Sequence, residues 1–186
     1  HEAPFAVGAN LQQVGEACAA GHFDMLEQTV EKFQRASQTL KYAQVPVVAA
    51  VQGMALGGGC EFLMHAGKRV MALESYVGLV EAGVGLIPAG GGCKEFAVRA
   101  AEWAAQSATP GEVFDFLQPV FQTIAMAKVA KSAVEAIDSG FARPSDTILF
   151  NANELLFVAI REARAMADAG WAPPLMARGI PVAGRT

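Results

Sequence analysis

The sequence predicts an α/β domain, and three observations carry that expectation. Twice an apolar run closes on a glycine triplet and leads into a helical pattern, in "VPVVAAVQGMALGGGCEFLM" and again in "LVEAGVGLIPAGGGCKEFAV". A β-like segment, "KRVMALESYVGL", stands between them, so strand and helix alternate. Beyond Pro110 the pattern turns helical, and 186 residues suffice for one domain with a sizeable core.

Taken in order, residues 1–11, "HEAPFAVGANL", read as the end of a strand turning into a loop, followed by a polar helical stretch. From about Phe23 to Tyr42, Phe23, Leu26, Val30, Phe33 and Leu40 recur near helical spacing, with Glu27, Glu31 and Lys32 between them. Pro46 ends that helix, and "VVAAV" reads as a strand buried on both faces. A helix beginning near Cys60 carries Phe62, Leu63 and Met64. The stretch after Leu79 is loop-like at Gly83, Gly85 and Pro88, and Gly90 to Gly92 open a helix from about Cys93. Further helices are expected at about 111–138 and 151–169. Asn151 or Asn153 would cap the second, and Leu155, Leu156, Val158, Ala159 and Ala163 would form its apolar face. The tail "GWAPPLMARGIPVAGRT" reads as an irregular extension.

Composition narrows the function classes. Apolar residues make up 53% and charged residues 17%, so much is buried or some faces a partner. No run of about 18 apolar residues lacks a glycine or a charge, which argues against a membrane span, and "HEAPFAVGAN" has no signal-peptide pattern. A net charge of −4 with dispersed Lys and Arg argues against a nucleic-acid partner. Cys18, Cys60 and Cys93 are odd in number and widely spaced, which fits buried thiols in a reducing cytoplasm rather than disulfides or zinc. His1, His22 and His65 show no metal-ligand spacing, and no metal is expected.

The chemistry gathers at the two glycine triplets. A strand that ends in Gly57–Gly59 and feeds a helix presents backbone N–H groups that lack intrahelical acceptors, at the end of the dipole that favours anions. Glycine lets a ligand approach the main chain; it equally serves close helix–strand packing. Glu61 reads either as a dipole partner or, given Cys60, Phe62, Leu63 and Met64 around it, as a buried carboxyl with a raised pKa suited to proton transfer. Glu81 is the only charged residue in the thirteen of "YVGLVEAGVGLIP". Alone it reads as a capping or solvated residue. Together the two resemble an acid/base pair beside an oxyanion hole.

The segments "FAVGANL", "GMALGGGCE" and "LVEAGVGLIPAGGG" resemble, in order and separation, three signature blocks of the enoyl-CoA hydratase (crotonase) superfamily. More narrowly, "GCKEF", "SGFARPSDTILFN" and "AGWAPP" are similar to the hydratase part of bacterial multifunctional 3-hydroxyacyl-CoA dehydrogenases of the fatty-acid oxidation complex, in which an NAD-dependent domain precedes the hydratase. The resemblance implies a crotonase-like ββα spiral core, truncated at its N-terminus, over 1–110, and a helical C-terminal region over 111–186 that packs against other subunits or an adjoining domain. It implies catalytic roles for Glu61 and Glu81, oxyanion-hole N–H groups on Ala9 and Gly58, and substrate contacts from Phe5, Val7, Gly57 and Pro88. The implied reaction is reversible hydration of trans-2-enoyl-CoA in fatty-acid β-oxidation. CoA is then substrate, no cofactor belongs to this chain, and NAD enters only with a dehydrogenase domain. A Δ3,Δ2-enoyl-CoA isomerase and a non-catalytic acyl-CoA-binding or assembly module are the alternatives.

The chain departs from that pattern at Asn10 and Gly67, where aspartate is frequent, at Ala89, where glycine is usual, and in the absence of an N-terminal segment that touches the CoA. Other motifs fail. "GVGLIPAG" has Pro88 at the helix start and no βαβ context for a dinucleotide fingerprint, and neither GK[ST] nor GxSxG occurs. Cys60 lacks a positioned histidine and reads as a small buried residue; His65, one turn after Glu61, reads as packing.

Overall fold

The computed structural model describes residues 4–108 and 112–184. Two repeats of strand, strand and helix build its centre. The first consists of β1 (Val48–Val51), β2 (Met54–Leu56) and α3 (Gly58–His65); the second consists of β3 (Lys68–Ala72), β4 (Tyr76–Gly78) and α4 (Gly92–Gln106). Each strand stacks in parallel on its counterpart one repeat away, Val48 opposite Lys68 and Met54 opposite Tyr76, so the chain winds as a spiral rather than a flat sheet. The corners are tight. Gly53, at φ 66°, turns β1 into β2 and accepts the Tyr76 N–H at 2.9 Å, while buried Ser75 turns β3 into β4 and donates its hydroxyl to the Ala72 carbonyl at 2.7 Å.

Two helices precede the spiral, α1 (Leu11–Ala19), capped by the Asn10 side chain, and α2 (Phe23–Lys41). The core between the layers includes Val51, Ala55, Leu63, Met71, Val77, Leu79, Phe96 and Phe141, all essentially without solvent contact. Two buried arginines tie the layers together. Arg69 donates Nε to Asp146 at 2.6 Å, and Arg99 donates to the carbonyls of Gly140 at 2.5 Å and Met64 at 3.0 Å. Both thus satisfy carbonyl groups at the end of α3 or in the segment that passes it, the Arg69 guanidinium reaching Ala66 at 3.1 Å.

Several expectations need correction. The single helix over 111–138 is instead α5 (Val113–Ala125), β5 (Val129–Ala130) and α6 (Ala133–Asp138). Val129 and Ala130 leave the helical pattern because they pair antiparallel with Gly78 and Val77, and Ser132 opens a new helix by accepting the Glu135 N–H. "KRVMALESYVGL" divides into strands of two different sheets, and β6 (Thr147–Leu149), unforeseen, completes the order β1-β3-β6. β1 is an edge strand, so only Val51 in it is fully buried. Asn151 caps a 3-10 turn over Ala152–Glu154 ahead of α7 (Leu155–Asp168), whose buried face is Leu155 and Ala159 while Leu156 is exposed. Only Cys60 is a buried thiol; Cys18 and Cys93 are exposed. The tail is irregular, as expected, but anchored: Trp171 donates its indole N–H to the Ala43 carbonyl at 3.2 Å. Its ring explains Gly67, since a Cβ there would stand 2.7 Å from the indole. The division at 110/111 lies outside the described residues. Among the described residues no helix is long and apolar enough to cross a membrane.

Candidate active site

The two glycine triplets meet around Glu61. Gly57 caps α3 at φ 54°, ψ −124°, a left-handed conformation that favours glycine, and its N–H bonds the Gly78 carbonyl at 2.9 Å. Glu61 follows in the first turn of α3 and is 3% exposed. Its Oε1 accepts the N–H of Gly92, the first residue of α4, at 2.9 Å. A Cβ on Gly90 would stand 2.3 Å from Glu61 Oε2, so the second triplet is glycine partly because the carboxylate lies against its main chain. Burial pushes the Glu61 carboxyl above its ordinary range, and main-chain bonds from Gly92, Gly90 and Gly91 hold it back.

Glu81 opens a 3-10 turn over Glu81–Val84, directly beyond β4. Because β4 stacks on β2, the end of β4 lies beside Gly57, and Glu81 Oε1 stands 3.3 Å from where a Gly57 Cβ would be. Its Oε2 is buried without a hydrogen-bond partner among the described residues. Burial first, and the charge of Glu61 second, push the Glu81 carboxyl up to about 7. The two carboxyl groups therefore share one electrostatic neighbourhood, with Glu81 the more reluctant to ionise.

The first signature segment docks on the same turn. Phe5 donates its N–H to Gln52, Ala6 bridges in parallel to Ala55, and Leu56 donates back to Ala6 at 2.9 Å. Gly8 then turns at φ 89°, and a Cβ on it would stand 3.6 Å from the Gly58 nitrogen. The Gly8 turn, one residue before Ala9, thus lies beside the first residue of α3. Gly58 is the first residue of α3, where an N–H has no intrahelical acceptor, and among the described residues no main-chain carbonyl accepts from Ala9.

The remaining expected contacts separate. Val7 is exposed and Gly57 buried in the turn. Phe5 lines an apolar groove of about 410 Å³ with Val47, Val48 and Phe62. Pro88 is buried against Gly92 and lines a different cavity, of about 610 Å³, together with Tyr42, Gly90, Gly91 and Met176.

Residues to which the sequence reading gave no part in the site complete the surroundings. The His65 ring lies beneath Gly91, its Nδ1 2.7 Å from the Glu61 carbonyl, and burial lowers its pKa. Glu95, buried in α4, pairs with Lys41 at 2.6 Å and Lys94 at 2.8 Å; burial works against its ionised form, but those two ammonium groups hold it down at about 2. Phe33 of α2 packs against Phe62 at 4.5 Å between centroids and against both glycine turns. Helical periodicity placed Phe33 on an apolar face, but nothing local shows which surface that face meets.

The family model described as enoyl-CoA hydratase/isomerase matches residues 1–111. A Bacillus subtilis protein named "Probable 3-hydroxyacyl-CoA dehydrogenase" is 38% identical over 171 residues, 92% of this chain and 21% of that protein. An Acinetobacter baylyi fatty acid oxidation complex subunit alpha is 31% identical over 109 residues, 56% of this chain and 15% of that protein. Among solved structures, an enoyl-CoA hydratase from Polaromonas sp. JS666 superimposes with a TM-score of 0.66 at 22% identity, over 86% of this chain and 54% of that one. The chain thus spans about a fifth of the length of the Bacillus relative and about half of that hydratase. With the crotonase spiral in the fold and the family match over most of its length, the chain belongs to the enoyl-CoA hydratase/isomerase family.

Proposed function

We propose that this chain hydrates trans-2-enoyl-CoA to 3-hydroxyacyl-CoA, as the hydratase portion of a multifunctional 3-hydroxyacyl-CoA dehydrogenase in fatty-acid β-oxidation. The observation that carries the reading is the convergence of two carboxyl groups on one set of glycine turns, Glu61 Oε2 against Gly90 and Glu81 Oε1 against Gly57, where the Gly8 turn also approaches the Gly58 nitrogen. In the hydration direction ionised Glu61 takes a proton from water as the water oxygen bonds to the β-carbon. The π electrons move toward the thioester, whose oxygen gathers negative charge against the Ala9 and Gly58 N–H groups. Protonated Glu81 then delivers its proton to the α-carbon, the thioester carbonyl re-forms, and proton exchange with solvent resets the pair. The buried, unpartnered Oε2 of Glu81 supports the acid role, because a neutral carboxyl tolerates such a position better than a carboxylate. The pair titrates jointly, so the roles belong to the pair before they belong to either residue.

The same reading makes the CoA thioester a substrate and the cytoplasm the compartment. It gives the C-terminal helices a partner, a dehydrogenase domain or another copy of the chain; exposed Phe114, Phe121 and Phe157 on α5 and α7 support this. The test is hydration of crotonyl-CoA by the full-length polypeptide that carries the chain, with and without Glu61→Gln. The substitution keeps shape and removes proton transfer, which is worth about 10²–10⁴-fold in rate. A variant within about twofold of the parent, far below that range, would remove the chemistry from Glu61 and leave a binding module as the better account.

A further inference from the structure

Phe33 stands where the two glycine turns and the Glu61 carboxyl come together. A Cβ built on Gly58 would lie 3.0 Å from its Cζ and 3.1 Å from its Cε2. A Cβ on Gly90 would lie 2.3 Å from its Cδ1 and Cε1, and at the same 2.3 Å from Glu61 Oε2. The ring therefore covers the two turns and puts its edge beside the carboxylate oxygen that leaves Gly92 free to bond the other. The ring is also firmly held. Phe62 backs it at an interplanar angle of 42°, and the next residues of α2 fasten that helix to the second turn: Gln34 donates to the Ala89 carbonyl at 2.6 Å and Ser37 to the Gly90 carbonyl at 2.9 Å. An aromatic hydrocarbon ring carries no proton to give or take, so its contribution at such a place is shape and exclusion of water.

We infer that Phe33 is the specificity-determining wall of the site, which limits the acyl group just beyond the β-carbon and favours short, unbranched 2-enoyl thioesters. The inference rests on the reading above, in which Glu61 delivers water to the β-carbon. The group next to Glu61 then meets the β-carbon and the carbon that follows it. Gly90 also lines the cavity of about 610 Å³, together with Gln34, the residue after Phe33. Phe33 and Gly90 stand together beside it, so truncating the ring enlarges the room available to a longer chain.

The test compares Phe33→Ala and Phe33→Trp with the parent, in the full-length polypeptide. Two readouts are taken: kcat/KM for 2-decenoyl-CoA relative to crotonyl-CoA, and calorimetric affinity for decanoyl-CoA relative to butyryl-CoA, which needs no turnover. One methylene in an apolar pocket is commonly worth about 10–200-fold, so Phe33→Ala should raise both ratios about tenfold or more, and Phe33→Trp should lower them. If Phe33→Ala does not fold, Phe33→Leu takes its place with a smaller shift in the same direction. Parent-like ratios in every folded variant overturn the inference. If the affinity ratio shifts while the parent hydrates neither thioester, the hydratase reading fails and the wall stands; if hydration proceeds and neither ratio moves, the wall fails and the hydratase reading stands.

Discussion

Glu81→Gln probes the buried carboxyl through stability alone, independent of any substrate. The substitution keeps the side chain's shape and removes its titration. In the folded chain, burial and then the neighbouring Glu61 charge move the carboxyl from 4.5 to about 7. The folded state consequently holds this proton more tightly than the unfolded chain does. Below pH 4.5 both states are protonated and the group costs nothing. As pH rises from 4.5 to about 7 the unfolded chain ionises first, so stability is progressively lost, and above 7 the loss is complete. At ~1.4 kcal/mol per pKa unit, discounted for partial exposure, that loss is about 2–3 kcal/mol. The assay is urea denaturation of parent and Glu81→Gln between pH 5 and pH 8. Other titratable groups are present in both proteins and drop out of the difference, except for the part of the Glu61 titration that responds to Glu81 itself. The variant should gain on the parent by about 2–3 kcal/mol across that range. A difference that stays flat with pH would refute the claim that Glu81 is buried against a second carboxyl.

Two further outcomes test how the site is held. Asp146 accepts hydrogen bonds from the Arg69 main chain at 2.9 Å, from Arg69 Nε and from the Arg143 N–H, both at 2.6 Å, so Asp146→Ala leaves a buried guanidinium without its counter-charge. Such breaks cost about 3–5 kcal/mol, and the denaturation midpoint should fall accordingly; a change below about 1 kcal/mol would mean that water reaches the pair. Gly59→Ala would set a Cβ 2.7 Å from that of Ala6 and 2.8 Å from the Ala6 carbonyl oxygen. The main chain of 5–7 would have to shift, at a cost of about 1–3 kcal/mol. Since Ala9 follows that segment, crotonyl-CoA hydration should fall more than stability alone explains, and unchanged activity would detach the first signature segment from the site.

Much of the candidate site was legible because its signals are local. Gly57 and Gly90–Gly92 mark turns that a side chain would obstruct, Glu61 is a lone carboxylate in an apolar stretch, and Glu81 is one in a glycine-rich stretch. The 3.6-residue pattern of α2 was equally plain, as was the irregular tail. Where the reading misplaced helices and strands, long-range pairing was responsible. The helical pattern over 111–138 gave way because Val129 and Ala130 complete a sheet edge beside β4, and Thr147–Leu149 were drawn into a strand by β3.

Residue type and local pattern are enough to show which residues carry charge amid apolar neighbours, where the main chain must turn without a Cβ, and the order of the segments that do so. The folded arrangement sets Glu81 beside Gly57, because β4 stacks on β2, and brings the Gly92 N–H to Glu61, because α4 begins against α3. It alone set Phe33 across both glycine turns and gathered Lys41, Lys94 and Glu95 behind them. Periodicity and turn chemistry report the conformation of a few neighbouring residues. Which surfaces then meet depends on strand register and on how closely backbones approach, and both are properties of residues tens of positions apart.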